Sequence, residues 1–289
     1  MTLTIFTPTY NRGYLLHKLY DSLIQQTSYD FEWIIVDDGS SDNTHKLINS
    51  FISERIISIQ YFKQLNGGKH RAINKGVQLA KGELFFIVDS DDYLHPNAVE
   101  EILRYYLQIK GDIAFAGVCG LKYYPSGERI GGVFPFSVLD CTFTDLRYKY
   151  KIKGDMAEVF KTVVLREYPF PEIDREKFCP EALVWNRISK KYKLRYFNSG
   201  IYLCAYLPDG LTAKIAKLRM ESPKASMLYY SELFKMNIPS FQKIKAAINF
   251  WRFSFCSDES FFYKINQIGC IALCMYPLGF LFHIRDNRK

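Results

Sequence analysis

The fold is decided by one short stretch of sequence, Glu83-Leu84-Phe85-Phe86-Ile87-Val88-Asp89-Ser90-Asp91-Asp92. Its first half is a run of large apolar residues, which predicts a strand buried on both faces in a parallel sheet. Its second half brings three carboxylates to the carboxyl end of that strand, the edge at which open α/β sheets bind ligands. A hard divalent cation shared with phosphate oxygens relieves such crowding of negative charge. Taken alone, the same residues also suit a solvated turn before a helix that begins near Pro96.

Strands and helices alternate along the first 110 residues, with short connections between them. Apolar strands are predicted at 3–6, 32–36 and 56–62. Because Pro8 lacks an N–H, it predicts that the first strand ends before it. Polar loops follow at 7–12, 37–44 and 89–92. The alternation predicts a mostly parallel sheet flanked by helices. Neither the dinucleotide-binding fingerprint nor the P-loop motif occurs, which disfavours a dehydrogenase or a P-loop enzyme.

Composition predicts a packed protein with a basic C-terminal part. Of 289 residues 48% are apolar, which is ample for a core. Seven cysteines form no CxxC pair, and no secretion signal is evident before the first strand, so reduced thiols in the cytoplasm are expected. The charge of +8 is uneven, since 213–289 contains 12 Lys/Arg against 5 Asp/Glu. No zinc-finger, basic-zipper or RNP-like motif occurs, so a membrane surface is favoured over nucleic acid as the partner of this region.

The second half of the chain has weaker signals. The region 119–153 is predicted to be irregular, and Pro180 predicts the start of a helix that carries Glu181. A turn or mobile loop is predicted at 208–212, and helical patterns follow it. The segment 268–284 is almost entirely apolar, but it is shorter than the roughly 20 residues that span a bilayer. Basic residues follow this segment, so we expect an interfacial membrane anchor, with a helix packed on the protein as the alternative.

Four motifs in order carry a resemblance to a known family. They are Thr7-Pro8-Thr9-Tyr10-Asn11-Arg12, Val36-Asp37-Asp38-Gly39-Ser40-Ser41-Asp42, Asn66-Gly67-Gly68 with Arg71 and Asn74, and Val88-Asp89-Ser90-Asp91-Asp92. In content, order and spacing this set closely resembles family 2 glycosyltransferases over residues 1–110. A weaker resemblance continues through 181–187. It implies a GT-A fold in 1–212, with a nucleotide-sugar-binding half (1–110) and an acceptor-binding half (111–212). A helical, membrane-associating extension would follow in 213–289.

The resemblance also implies which residues bind the nucleotide sugar. The implied set is Thr7, Thr9, Tyr10, Asn11, Asp38, Lys69, Arg71, Asp89 and Ser90. Within this set Tyr10 would stack on the base, and Asp38 would hydrogen-bond it. Lys69 and Arg71 would lie near the base or the diphosphate. Asp89 would contact the ribose or a metal-bound water.

Carboxylates can serve two roles in the chemistry of sugar transfer. A nucleoside diphosphate gathers negative charge as it leaves, and a divalent cation stabilises that charge. The resemblance assigns Asp91 and Asp89 to Mn²⁺ or Mg²⁺, which prefer oxygen ligands. Inversion needs a base that takes the proton of the attacking hydroxyl. The resemblance assigns that role to Glu181, with Asp92 near the donor sugar or the acceptor. The family often has Glu-Asp where this chain has Pro180 before Glu181, and the family's later metal-binding histidine is not evident.

We therefore expect an inverting glycosyltransferase at the cytoplasmic face of the plasma membrane. It would move a sugar, with UDP as the expected carrier, to a hydroxyl of a glycan or lipid-linked acceptor in bacterial surface polysaccharide synthesis. One alternative is a nucleotidyltransferase, which usually needs a glycine-rich basic loop directly after its first strand. Another is a membrane-bound binding protein with a degenerate site, against which the acidic motif residues argue. The sequence leaves the donor sugar, the acceptor, the linkage and the oligomeric state open.

Overall fold

The computed structural model describes residues 1–204 and 214–287. Contacts divide the chain into two compact units. The first comprises the described residues of Met1–Pro169 and Arg187–Ala205, and the second those of Phe170–Asn186 and Tyr206–Lys289. The division predicted at residue 212 stays a prediction. The turn predicted at 208–212 lies outside the described residues.

The first unit contains one mixed sheet, made of the nine strands found among residues 1–204 and 214–287. They are β1 (Leu3–Thr9), β2 (Phe31–Asp37), β3 (Ile59–Lys63), β4 (Leu84–Ile87), β5 (Tyr93–Leu94), β6 (Phe115–Tyr123), β7 (Val138–Cys141), β8 (Met156–Lys161) and β9 (Lys193–Leu203). The order is β3-β2-β1-β4-β8-β6-β9-β5, and β7 also pairs with β9. The first four strands of this order run parallel, as predicted. β8 then pairs antiparallel with both β4 and β6, so the second half of the sheet is mixed.

Helices cover both faces of the parallel half. The helices of this unit are α1 (Leu16–Ile24), α2 (Thr44–Glu54), α3 (Lys69–Leu79), α4 (Ala98–Leu107), α5 (Phe143–Tyr148) and α6 (Thr162–Glu167). On one face Trp33 of β2 stacks near Tyr20 of α1 and Phe51 of α2. On the other face α3 approaches closely, because a Cβ atom on Gly76 would lie 2.3 Å from the ring of Phe6. Leu84, Phe85 and Phe86 of β4 are buried, which confirms the strand predicted to be covered on both sides, and all residues of β1 and β2 are buried as well.

The first strand is longer than predicted. β1 continues through Pro8, which pairs with Val36 of β2, so the expectation that Pro8 ends the strand was wrong. The N–H of Val88 donates to the carbonyl of Phe6, which shows that alternate residues of β1 direct their backbone groups toward β4. Pairing with β4 ends at Phe6. The missing N–H of Pro8 therefore falls beyond the last pair and costs the sheet no hydrogen bond.

The region 119–153 is more regular than predicted. β6 extends to Tyr123, and β7 and α5 follow. Thr142 caps α5, because its hydroxyl accepts from the N–H of Asp145 at 3.0 Å. β7 has little contact with the core, because Val138 and Asp140 are exposed, Leu139 is partly buried and Cys141 alone is buried.

The second unit is helical in its described part. It contains the start of α7 (Glu181–Ile188), followed by α8 (Ile215–Glu221), α9 (Pro223–Lys235), α10 (Ser240–Ser254), α11 (Phe261–Ile268) and α12 (Tyr276–Asn287). The indole N–H of Trp251 on α10 donates to the carbonyl of Ala272 at 2.8 Å. Arg252 Nη2 lies 2.8 Å from Asp286 Oδ1 on α12. The C-terminal segment thus packs on α10.

The same segment leaves apolar side chains in contact with solvent. Ile271 is 84% exposed, and Leu278, Phe280 and Leu281 are exposed as well. No single helix in the described ranges is long and apolar enough to cross a membrane. One pair, Phe261–Ile268 with Cys270–Asn287, meets that test together but is bent by 113°.

Candidate active site

Loops from three strands meet at the carboxyl edge of the parallel half. The backbone N–H of Asn11, after β1, donates to Ser40 Oγ at 2.8 Å. The side-chain oxygen of Asn11 accepts from the N–H of Ser41 at 2.8 Å. Asn11 has φ 51°, a left-handed conformation that Asn adopts more readily than most residues. These bonds join the loop after β1 to the loop after β2.

Asp38 shapes the glycine-rich loop. Its side chain is nearly buried, and four donors reach its carboxylate: Gly68 N–H at 2.7 Å, Gln64 Nε2 at 2.8 Å, Gly67 N–H at 2.9 Å and Asn66 Nδ2 at 3.2 Å. A carboxylate offers about four lone-pair positions, so this set fills them. Gly68 directly precedes α3, where the helix dipole favours the negative charge. That Asp38 bonds the nucleotide base stays a prediction.

The other residues predicted for the nucleoside pocket differ in exposure. Tyr10 is 49% exposed, whereas Thr7, Thr9 and Ser90 are buried. The hydroxyl of Thr7 accepts from the indole N–H of Trp33 at 2.9 Å and is engaged in the core. The buried hydroxyl of Thr9 has no hydrogen-bond partner in the part of the chain that the structure describes. Thr9 is therefore better suited than Thr7 to contact a ligand.

The acidic loop 89–92 is contacted by basic residues from two other loops. Lys69 Nζ at the start of α3 lies 2.6 Å from Asp89 Oδ1. Arg12 Nη1, after β1, lies 3.4 Å from Asp91 Oδ2. Arg71 turns back, and its Nη1 donates to a backbone carbonyl of the preceding turn at 2.7 Å. Motifs that are far apart in sequence are thus in contact here.

The three carboxylates of this loop differ in pKa. Burial raises the pKa of Asp89, but nearby basic side chains, Lys69 first among them, hold it below the ordinary value. Burial and the charge of Asp89 raise the pKa of Asp91. The same two causes raise the pKa of Asp92 to about 7. Negative charge is therefore crowded at this edge, and an added cation would be favoured.

Sequence reasoning missed two residues of the site, on β9 and β6. The hydroxyl of Tyr202 donates to Asp92 Oδ2 at 2.6 Å and accepts from the N–H of Asp89 at 3.0 Å, which holds both ends of the loop. Lys122 pairs with Tyr202 across the two strands, and its Nζ lies 4.0 Å from the ring centroid. Burial lowers the pKa of Lys122, but surrounding carboxylates raise it overall. Neither residue belongs to a sequence motif.

The residues present fit a divalent cation. Asp89 and Asp91 offer hard oxygen ligands on one short loop, and they repel each other electrostatically. Within the described residues no group of three or more candidate ligand side chains gathers. Mg²⁺ and Mn²⁺ accept such a site, because they keep waters and use one or two carboxylates beside substrate phosphates.

Glu181 belongs to the second unit. It is the first residue of α7, directly after Pro180, so the predicted helix start is confirmed. The positive end of the helix dipole lies at this position. In the same unit Trp185 is buried and packs against the ring of Phe170, with centroids 5.9 Å apart. The role of Glu181 as a base stays a prediction.

Comparisons with known proteins agree with this architecture. A family model described as glycosyl transferase family 2 matches residues 4–130. Glycosyltransferase GlyG of Streptococcus pneumoniae serotype 4 is 30% identical over 216 residues, which cover 70% of this chain and 69% of GlyG. The poly(ribitol-phosphate) β-N-acetylglucosaminyltransferase TarP of Staphylococcus aureus is 33% identical over 112 residues, 38% of this chain and 34% of TarP.

Similarity also extends to a solved structure. The crystal structure of S. aureus TarS 1–349 in complex with UDP has a TM-score of 0.65 and 18% sequence identity, and the match covers 99% of this chain and 88% of that chain. At that identity the likeness concerns the fold alone, and it confirms the predicted GT-A fold.

Proposed function

The chain belongs to glycosyltransferase family 2, and from that premise we propose that it is an inverting enzyme that uses a UDP-sugar. It moves the sugar to a hydroxyl of a glycan or lipid-linked acceptor. The observation that carries the proposal is the acidic loop 89–92 at the carboxyl edge of the parallel strands, in contact with Arg12 and Lys69. A uridine nucleotide is supported by the complex of TarS with UDP.

In this proposal the nucleoside lies between the loops after β1 and β2. Tyr10 stacks on the base, and Thr9 donates or accepts one hydrogen bond. The half-exposed ring of Tyr10 and the buried, available hydroxyl of Thr9 support these roles. Asp38 acts on the nucleotide through the glycine-rich loop that its carboxylate holds in place.

Asp89 and Asp91 would hold Mn²⁺ or Mg²⁺. When bound, the cation stabilises the negative charge that develops on the diphosphate. Lys69 and Arg12 already balance part of the charge of this loop, so an incoming diphosphate meets less repulsion than three bare carboxylates would give.

Glu181 takes the proton from the acceptor hydroxyl, and Asp92 contacts the donor sugar or the acceptor. The position of Glu181 at the start of α7, directly after Pro180, supports this role. The hydrogen bond from Tyr202 fixes the orientation of Asp92. One base is sufficient, because inversion in a single step needs no enzyme nucleophile.

We place this reaction at the cytoplasmic face of the plasma membrane in bacterial surface polysaccharide synthesis. The acceptor named for TarP, a poly(ribitol-phosphate), supports a surface polymer. The basic charge of 213–289 and the exposed apolar residues of 268–284 support contact with an anionic lipid surface.

A donor panel tests the proposal. The full chain is incubated with UDP-, GDP- and dTDP-sugars in Mn²⁺ or in EDTA, and release of the nucleotide is measured. We expect release from at least one UDP-sugar in Mn²⁺ and none in EDTA. The exchange Asp91→Asn should abolish release, whereas Asp21→Asn, an exposed control on α1, should not. A wild-type chain that turns over none of these donors contradicts the proposal.

A further inference from the structure

Two charged residues of the second half of the sheet stand beside the acidic loop without belonging to any motif. Lys122 is the penultimate residue of β6. Glu158 lies on β8, which runs between β6 and the strand β4 that leads into the loop. Lys122 sits over the ring of Tyr202, whose hydroxyl is bonded to Asp92. Lys122 and Glu158, the 122/158 pair, thus border the edge at which we expect the donor.

The 122/158 pair lacks the bonds that other charges at this edge make. In the described ranges neither the ammonium of Lys122 nor the carboxylate of Glu158 has a hydrogen bond or an ion pair within 4.0 Å to another residue. Both side chains are partly buried. Asp89, Asp91 and Asp92, by contrast, each contact a side chain. A partly buried charge without a bonded partner is costly, and a polar ligand that bonds to it would remove that cost.

The surrounding charge restricts what kind of ligand fits. Burial first, then the carboxylates of Asp89 and Glu158, are the largest influences on the pKa of Lys122, and Asp92 and Asp155 add to them. Glu158 faces Lys122 and Arg147 as well as Asp155, and its burial raises its pKa to about 7. Four carboxylates act on Lys122, those of Asp89, Glu158, Asp92 and Asp155, so an anionic ligand is disfavoured beside it. A neutral group that both donates and accepts hydrogen bonds is favoured.

We propose that the 122/158 pair binds the acceptor, and that the acceptor presents two neighbouring hydroxyls of a neutral sugar or polyol to it. One hydroxyl donates to the carboxylate of Glu158, and the other accepts from the ammonium of Lys122. This inference rests on the proposed function. It adds the residues of this chain that select the acceptor and the chemical class that they select.

Transfer kinetics test the proposal with defined probes. The donor is the UDP-sugar that the wild-type chain hydrolyses fastest, and the acceptors are ribitol, methyl β-D-glucopyranoside and ribitol 5-phosphate. For Glu158→Gln and Lys122→Met we expect the KM for a neutral acceptor to rise roughly tenfold to a hundredfold, the effect of losing a hydrogen bond to a charged group. The donor KM should change far less. Lys122→Arg keeps the positive charge and should raise the acceptor KM less than Lys122→Met does.

Matched controls lie on exposed positions of the same unit. Glu128→Gln and Lys149→Met remove the same charges away from the pair and should leave both KM values at the wild-type level. Unchanged acceptor KM values in both pair variants overturn the proposal. Equal losses of donor hydrolysis and of transfer also overturn it, since they indicate that the pair only balances the charge of the acidic loop.

Three outcomes separate the acceptor class, the proposed function and the inference itself. A lower KM for ribitol 5-phosphate than for ribitol overturns the assignment of a neutral acceptor. A wild-type chain that hydrolyses no donor overturns the proposed function, and this inference with it. Donor hydrolysis without any effect of the pair on the acceptor overturns the inference alone.

Discussion

Replacement of Asp38 by alanine should destabilise the first unit, because the carboxylate holds a loop together. Four donors point at it, at distances between 2.7 and 3.2 Å, and only 4% of the residue is exposed. Two of these donors are the backbone N–H groups of Gly67 and Gly68, whose directions are set by the conformation of the loop. At about 1 kcal/mol for each donor that loses its partner, Asp38→Ala should cost about 2–4 kcal/mol of unfolding free energy. Asp38→Asn keeps one acceptor oxygen, so its free energy of unfolding should lie between those of Asp38→Ala and the wild type.

The assay is thermal unfolding of the full chain, combined with calorimetry of UDP binding. In a unit of this size each kcal/mol lowers the Tm by about 2–4 °C. UDP affinity should fall together with the Tm, because the glycine-rich loop loses its position. Asp21→Ala, an exposed control on α1, should change neither quantity.

A different result would refute this reasoning. If Asp38 acts only by bonding the base, its loss weakens binding of the donor in the ground state and the transition state alike and leaves the fold intact. Asp38→Ala would then raise the donor KM at a wild-type Tm. That outcome would show that the four hydrogen bonds contribute nothing measurable to stability and that the carboxylate is free to face the nucleotide.

Four further outcomes are expected. Asp91→Asn should keep the Tm but lose metal-dependent UDP binding and most activity, and full UDP affinity in EDTA would contradict the metal assignment. Glu181→Gln should keep UDP binding while the kcat falls roughly 10²- to 10⁴-fold, the usual contribution of a positioned base; single-turnover rates within about threefold of wild type would exclude it as the base. Glu32→Leu should lower the free energy of unfolding, measured in urea, by about 2–4 kcal/mol. The reason is that the buried carboxylate of Glu32 accepts hydrogen bonds from the Thr4 hydroxyl, the Gln60 amide and a backbone N–H. An unchanged urea midpoint would contradict this. Deletion of 268–289 should abolish sedimentation with anionic vesicles while UDP binding is kept, and loss of UDP binding would identify the segment as part of the folded core.

The parallel half of the sheet could be predicted because each of its signals is local. The apolar run before Asp89 marks a buried strand, and the carboxyl ends of parallel strands must meet at one edge. Contacts such as Lys69 with Asp89 and Arg12 with Asp91 follow from that rule, although the motifs lie up to 79 residues apart. The role of each residue at this edge is harder to predict from the sequence. Asp38 and Thr7 lie in the expected motifs, yet their side-chain oxygens form hydrogen bonds with neighbouring protein groups. A sequence motif gives no distances between atoms, so these hydrogen bonds could not be predicted from it.

The part of the site on β6 and β9 could not be predicted from the sequence, for a different physical reason. Tyr202 lies 110 residues after Asp92 and reaches it only because β9 crosses back beside β6. The register of that pair is irregular: Leu121 is opposite Gly200, whereas the next residue, Lys122, is opposite Tyr202. One step on β6 thus corresponds to two on β9, so the alternation of faces shifts at this point. A β-bulge of this kind changes the direction in which the following side chains point. The alternation of apolar and polar residues along a strand does not reveal it. The register shift on β6, just before Lys122, therefore decides whether a charged residue at the end of this strand faces the acidic loop.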